Sequence, residues 1–120
     1  MAKFVYKMQN ILNIKTRLET QAKTEFSQAS ARLDEEEDKL RSLILRRRTY
    51  EDELKNASND KLDINKLKQY NNYIAVIKEL MEKQALQVRV AQKNLDKARE
   101  KLNKSMQERK IHEKLREKAF

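Results

Sequence analysis

Few side chains in this sequence could do chemistry, and His112 is the first to consider. It is the only histidine of the chain, and there is no cysteine. A zinc site needs several imidazole or thiolate ligands, and nucleophilic catalysis needs a base beside its nucleophile. The sequence also has no glycine, which excludes a phosphate-binding loop because such a loop needs close backbone approach. We therefore predict no catalytic residue, no metal ion, no cofactor, and a chain that is not an enzyme.

Two runs of like charge are the remaining candidates. The acidic run covers residues 34–38 with the sequence DEEED, and the basic run covers residues 46–48 with the sequence RRR. Consecutive residues on a helix point in different directions, so the carboxylates do not converge on a cation as the ligands of a loop do. We interpret the acidic run as a solvated helix face. The basic run is a charged turn of helix that could also contact an acidic partner.

The net charge of +9 lies almost entirely in the second half of the chain. Such a basic segment attracts nucleic acid, anionic lipid and acidic protein alike. Its clearest stripe is interrupted by acidic residues and has no aromatic side chains, so stacking on bases is not indicated. The stripe comprises Lys93, Lys97, Lys101 and Lys104. We expect a protein partner and no nucleic acid.

The chain as a whole has the composition of long helices. It contains neither glycine nor proline, and 39% of its residues are charged. In the second half, apolar residues recur every seven positions, with companions between them, which is typical of a coiled coil. The rungs are Leu67, Ile74, Met81, Val88, Leu95 and Leu102. The pattern predicts an all-α fold in which two long helices form an antiparallel coiled-coil hairpin.

The boundaries follow from the only cluster of turn-forming residues, 56–63, with the sequence NASNDKLD. We predict a single coiled-coil domain over 1–120, with helix 1 at about 4–56, the turn at about 57–62 and helix 2 at about 63–119. In helix 1, Phe4, Ile11 and Leu18 follow one register and Phe26, Leu33, Leu40 and Leu54 another, so we expect a register shift between Leu18 and Phe26. The hairpin should pair Phe26 with Leu95 and Leu33 with Val88.

No segment is long and apolar enough to span a bilayer, and the first residues lack the apolar core of a signal peptide. We therefore expect a cytoplasmic protein without direct membrane insertion.

Four segments in this order resemble the FliJ family of flagellar type III export proteins. They are Phe4-x-Tyr6-x-x-Gln9-Asn10-Ile11-Leu12, then Leu40-x-x-Leu43 with Tyr50-x-x-x-Leu54, then Tyr70-x-x-Tyr73-Ile74, and the closing residues 108–118. The resemblance covers nearly the whole chain. It implies a coiled coil similar to the central stalk of rotary ATPases, which inserts into the hexameric export ATPase and contacts the cytoplasmic domain of the export gate.

The resemblance also implies two sets of site residues. The set expected to bind the ATPase ring is Phe4, Met8, Ile11, Arg109, Lys110, Leu115 and Arg116. The set expected to bind the export gate is Leu43, Arg46, Tyr50, Tyr73, Ile77, Leu80 and Gln84. Export chaperones are further implied partners. The simpler alternatives are that the first set completes the helix interface and that the second only widens the core.

Two other functions remain open from the residues alone. The chain could be a structural coiled-coil scaffold or homodimeric interaction protein, because two strands with an imperfect interface are marginally stable. A nucleic-acid binder is the less favoured alternative. Affinity that falls steeply with salt would indicate it.

Overall fold

The computed structural model describes residues 2–59 and 64–119, and it contains two long helices. Helix α1 covers Ala2–Asn59 and helix α2 covers Ile64–Ala119. The fold is all-α, an antiparallel coiled-coil hairpin as predicted. Threonine hydroxyl groups within α1 donate hydrogen bonds to backbone carbonyls one turn earlier. The hydroxyl of Thr16, for example, donates to the carbonyl of Leu12 at 2.9 Å, so these polar groups do not interrupt the helix.

Helix α1 ends later than the sequence indicated. Residues 57–59 belong to the helix and not to the turn. Each residue that extends a helix adds a backbone hydrogen bond, whereas the turn preference of asparagine and serine is worth only tenths of a kcal/mol, on the order of 0.5. The other predicted turn residues, 60–62, and Asp63 lie outside the described part of the chain. The single domain over 1–120 stays a prediction.

The chain divides into two compact units, each built from a segment of both helices. The terminal unit comprises Met1–Arg32 and Gln92–Phe120, and the central unit comprises Leu33–Ala91. In the terminal unit the beginning of α1 packs against the end of α2. In the central unit the end of α1 packs against the beginning of α2.

The interface of the terminal unit follows one uninterrupted heptad pattern on α1. Its buried and half-buried positions are Met8, Leu12, Lys15, Glu19, Ala22, Phe26 and Ala29. The predicted register shift between Leu18 and Phe26 is wrong, because Leu18 is 42% exposed while its neighbour Glu19 is only 5% exposed. A continuous spacing of three and four keeps the helix surfaces in register. The helix therefore buries a charged residue and leaves a leucine outside.

The heptad pattern predicted for α2 is confirmed by its burial. The rungs Leu67, Ile74, Met81, Val88, Leu95 and Leu102 are all buried or half-buried. The same spacing continues to Ser105, Arg109 and His112, which are half-buried in the terminal unit. Polar side chains thus take part in the interface on both helices.

The predicted pairing of Leu33 with Val88 stays a prediction, and the contact of Gln84 with Glu36, about one turn away on each helix, is consistent with it. In the terminal unit two contacts depart from the predicted register. The guanidinium of Arg99 lies 5.8 Å from the ring centre of Phe26, which the sequence had paired with Leu95. Lys15 likewise reaches Glu108 at 3.0 Å, beyond the residue that the predicted register would place opposite it. In both of these contacts a long charged side chain reaches a residue a few positions away from the predicted partner position. Heptad spacing fixes which face is buried, but a slide along the helix axis leaves that spacing unchanged.

Candidate partner-binding surfaces

An ion-pair cluster lies inside the terminal unit. The guanidinium of Arg109 donates a hydrogen bond to the carboxylate of Glu19 and contacts the carboxylate of Glu113 at 2.8 Å. Lys23 approaches the other oxygen of Glu19 at 3.5 Å. The hydrogen bonds to Glu19 and then to Glu113 raise the pKa of Arg109 above its usual value, so the guanidinium keeps its charge. The cluster gives a buried carboxylate the partners that it needs.

Two further ion pairs connect the helices of this unit. Lys15 contacts Glu108 at 3.0 Å, and Lys101 contacts Glu25 at 2.8 Å. Arg109, which the sequence placed among the ring-binding residues, therefore also holds the two helices together. Removing it would affect the helix pair as well as any partner.

The other ring-binding candidates surround the end of the helix pair. Phe4, Met8 and Ile11 from α1 line a cavity of about 300 Å³ together with Lys7, His112 and Leu115. Phe4 and Leu115 are largely exposed, and Met8 and Ile11 are half-buried. Lys110 and Arg116 are exposed on α2. The structure thus brings Phe4, Met8, Ile11 and Leu115 together, with Lys110 and Arg116 on the same terminal segment of α2.

Sequence reasoning missed one residue on this surface. Ile14 is 55% exposed and stands between Ile11 and Leu18 on α1. The signal was present, because Phe4, Ile11 and Leu18 repeat every seven residues. That repeat was read as part of the helix interface, whereas Phe4 and Leu18 face solvent and the interface runs through Leu12 and Glu19.

The gate-binding candidates lie in the central unit around a tyrosine pair. The rings of Tyr50 on α1 and Tyr73 on α2 have centres 5.5 Å apart and planes tilted by 33°. The amide of Gln69 donates a hydrogen bond of 3.0 Å to the hydroxyl of Tyr73. Tyr50 is half-buried and Tyr73 is partly exposed. The pair joins the two helices and presents an aromatic edge to solvent.

The rest of that set divides between exposed and internal positions. Arg46 and Leu80 are exposed, and Leu43 is half-buried. Ile77 is only 4% exposed, so its side chain supports the surface from below and is not available for a direct contact. Gln84 is occupied within the chain, since its amide donates to the carboxylate of Glu36 at 2.6 Å and to the Glu36 carbonyl at 2.8 Å.

Two features of the central unit were not predicted. Val76 is 55% exposed and lies between Tyr73 and Leu80 on the same face of α2. A separate groove of about 450 Å³ is lined mainly by apolar and long charged side chains. Its lining residues are Leu40, Ile44, Arg47, Lys78, Met81, Glu82 and Ala85.

The acidic run is only partly the solvated face that we expected. Glu37 and Asp38 pair with Arg41 at the surface, but Glu36 is buried and bonded by Gln84. Within residues 2–59 and 64–119, no group of three or more acidic or histidine side chains is placed to hold a metal ion. Neither described helix is long and apolar enough to cross a membrane.

Comparison with known families decides the identity of the chain. The family model described as Flagellar FliJ protein matches residues 4–120. The chain belongs to the FliJ family. Members of the FliJ family are non-catalytic components of flagellar protein export. The chain therefore has a role in export and in flagellum biogenesis. Searches of the curated proteins and of the solved structures found no match.

Membership of the FliJ family gives the two surfaces a context. In an export component without catalysis, exposed apolar side chains on a helix pair are candidates for contacts with other proteins. The terminal surface carries Phe4, Leu115 and Lys110, and the central surface carries Tyr73, Val76 and Leu80. The assignment of a particular partner protein to each surface stays a prediction.

Proposed function

We propose that this chain regulates flagellar type III export without catalysing a reaction, by binding the hexameric export ATPase through its terminal unit and the cytoplasmic domain of the export gate through its central unit. Binding promotes assembly and activity of the ATPase and the escort of substrates or chaperones. The chain acts in the cytoplasm, and it lies at the inner face of the membrane when it is bound to the export apparatus.

One observation carries the ATPase proposal. The unit formed by both ends of the chain exposes large apolar side chains, with Phe4 at 59% and Leu115 at 46%. Basic residues including Lys110 are exposed on the same unit. An apolar centre with charged residues around it is a common composition for protein interfaces. Both ends of the chain would therefore enter the ring together, since α1 and α2 pair at this point.

A helix pair can change the rate of an ATPase only through contacts that differ between the conformational states of the ring. If the terminal unit binds one state more tightly, it shifts the ring toward that state by the difference in binding free energy. No chemical group of this chain needs to reach the nucleotide. This is consistent with a chain that has no glycine for a phosphate-binding loop.

The gate proposal rests on the aromatic and apolar face of the central unit. Tyr73, Val76 and Leu80 are exposed at helical spacing on α2, and Tyr50 supports Tyr73 from α1. Tyrosine at an exposed apolar patch favours a binding surface because one side chain offers both apolar area and a hydrogen-bonding hydroxyl.

The test is the hydrolysis rate of the purified export ATPase as the chain is added. We expect the wild-type chain to raise the rate until it saturates, and Lys110→Glu to require a severalfold higher concentration. Lys93→Glu is the matched control, because Lys93 is exposed on the same helix and in the same unit but away from the terminal cavity. Hydrolysis that does not change at saturating wild-type chain would contradict the proposal.

A further inference from the structure

The beginning of α1 carries two apolar stripes, and only one of them is used within the chain. The first is the interface through Met8, Leu12 and Ala22. The second, which we call the outer stripe, consists of Phe4, Ile11, Ile14 and Leu18. Its members are spaced by seven, three and four residues, as in a heptad, and all except the half-buried Ile11 are exposed. A heptad stripe that faces solvent has the spacing that another helix would need.

Helix α2 supplies a second wall beside the outer stripe. Leu115 lines the same cavity of about 300 Å³ as Phe4 and Ile11. Ile111, one turn earlier, is 56% exposed. Phe4, Ile11 and Leu115 thus share one apolar cavity at this end, and the outer stripe continues from it along α1 through the exposed Ile14 and Leu18. We call this cavity together with the outer stripe the groove. A groove between two paired helices is the usual place for a third helix to pack.

The charges around the groove are basic. Lys7 lies within the outer stripe, between Phe4 and Ile11, and lines the cavity, while Lys3 and Arg17 flank the stripe. On α2, Lys104 and Lys118 share the face of Ile111 because they are spaced seven residues from it. All five are exposed, and none has an ion pair within the described residues. The nearby carboxylates of Glu25 and Glu108 already have partners on the opposite helix, Lys101 and Lys15.

We propose that this groove binds an amphipathic helix of a partner protein, with apolar residues at heptad spacing and acidic residues on both flanks. The heptad spacing of the outer stripe selects a helix over an extended segment, and the unpaired lysines and arginine select an acidic one. The groove shares Phe4, Ile11 and Leu115 with the proposed ring-binding end. The inference rests on the proposed function in one respect, namely the identity of the protein that supplies the helix.

The probe is a synthetic, fluorescently labelled peptide of about five helical turns, with leucines at heptad spacing and glutamates on the flanks. Its affinity for the purified full-length chain is measured by fluorescence anisotropy. Two comparison peptides separate the sources of binding. One has the same composition with the leucine spacing scrambled, and the other has lysines in place of the glutamates. We expect the acidic amphipathic peptide to bind about tenfold or more tightly than either.

Ile14→Ser is the deciding variant, because Ile14 is an exposed apolar residue of the outer stripe and is itself neither an interface residue nor one of the ring-binding candidates. Leu45→Ser is its matched control, since Leu45 is also an exposed apolar residue of α1 but lies in the central unit. We expect Ile14→Ser to weaken peptide binding about tenfold. Leu45→Ser should leave it unchanged. Circular dichroism of both variants should show the helix content of the wild-type chain.

Three outcomes would overturn the inference. They are equal binding of the acidic and scrambled peptides, equal effects of Ile14→Ser and Leu45→Ser, and self-association of the chain that Ile14→Ser abolishes. The last would mean that a second copy occupies the groove. Since no ATPase is present in this assay, its failure is distinct from failure of the proposed function. Conversely, an ATPase that does not respond to the chain leaves the peptide result intact.

Discussion

Arg109 on α2 donates a hydrogen bond to the buried carboxylate of Glu19 on α1, and the two residues are 90 positions apart in the sequence. Glu19 occupies a heptad position where a coiled coil normally has an apolar side chain. The contact therefore does two things. It satisfies a carboxylate that would otherwise be costly to bury, and it fixes which part of α2 lies against the beginning of α1.

Removing the Glu19 carboxylate should destabilise the chain although it introduces no apolar cavity. Glu19→Ala leaves Arg109 half-buried without its main partner, and we expect the melting temperature to fall by roughly 5 °C. Asp38→Ala is the control, because Asp38 pairs with Arg41 at the surface and its loss should be nearly neutral. Thermal unfolding followed by circular dichroism measures both. Equal shifts would mean that the buried position of Glu19 contributes nothing.

The exposure of neighbouring leucines gives a sharper test of the interface. Leu12 is buried and Leu18 is 42% exposed. We expect Leu12→Ala to lower the free energy of unfolding by about 2–4 kcal/mol and Leu18→Ala by less than about 1 kcal/mol. Urea denaturation gives both values. The order would reverse if the register shift expected from the sequence were real, because Leu18 would then be the buried residue.

The interface was predictable wherever its heptad positions are apolar. The pattern from Leu67 to Leu102 was read correctly, because each rung is a large apolar residue. The beginning of α1 was misread, because its interface passes through Lys15 and Glu19 while apolar residues lie on the neighbouring stripe. A search for apolar spacing follows the wrong stripe there. Arg109, the partner that bonds Glu19 across the interface, comes from the other end of the chain and leaves no local signal.

The location of the two sets of binding residues could be predicted from the sequence. The exposure of their individual side chains could not. Tyr50 and Tyr73 do meet across the helices. Ile77 and Gln84 share their face by spacing, yet one is buried and the other is bonded to Glu36. Val76 shows the opposite error, since it was missed although its position between Ile74 and Ile77 lies outside the interface positions of the heptad. The heptad spacing from Ile74 marks Ile77 as an interface position, whereas the hydrogen bonds of Gln84 depend on Glu36 of the other helix, which local spacing does not reveal.

The hydrogen bonds of Gln84 should be needed for stability. Gln84→Ala removes the amide from the buried carboxylate and carbonyl of Glu36, and we expect a loss of about 1–3 kcal/mol in the free energy of unfolding. Gln69→Ala is the comparison, because the bond from Gln69 to Tyr73 is exposed and its loss should cost less than about 0.5 kcal/mol. Chemical denaturation of the two variants decides. A neutral Gln84→Ala would show that Glu36 finds other partners.

Binding to the export gate should depend on Leu80 more than on other exposed apolar residues of α2. Leu80→Asp places a charge beside Tyr73 and Val76, and we expect the affinity for the cytoplasmic domain of the gate to fall about tenfold or more. Leu86→Asp serves as the control, since Leu86 is exposed on α2 but does not belong to the surface formed by Tyr73, Val76 and Leu80. Isothermal titration calorimetry measures both. Equal losses would place the contact elsewhere on the central unit.

The most direct test of the account is whether one chain brings its own beginning and end together. Zero-length carbodiimide cross-linking joins a lysine to a carboxylate that it contacts, and mass spectrometry identifies the joined residues. In an equal mixture of unlabelled and nitrogen-15-labelled chain, we expect Lys15 linked to Glu108 and Lys101 linked to Glu25, always within a single isotope. Links that join the two isotopes, or the absence of both pairs, would contradict the intramolecular antiparallel pairing on which both proposed surfaces depend.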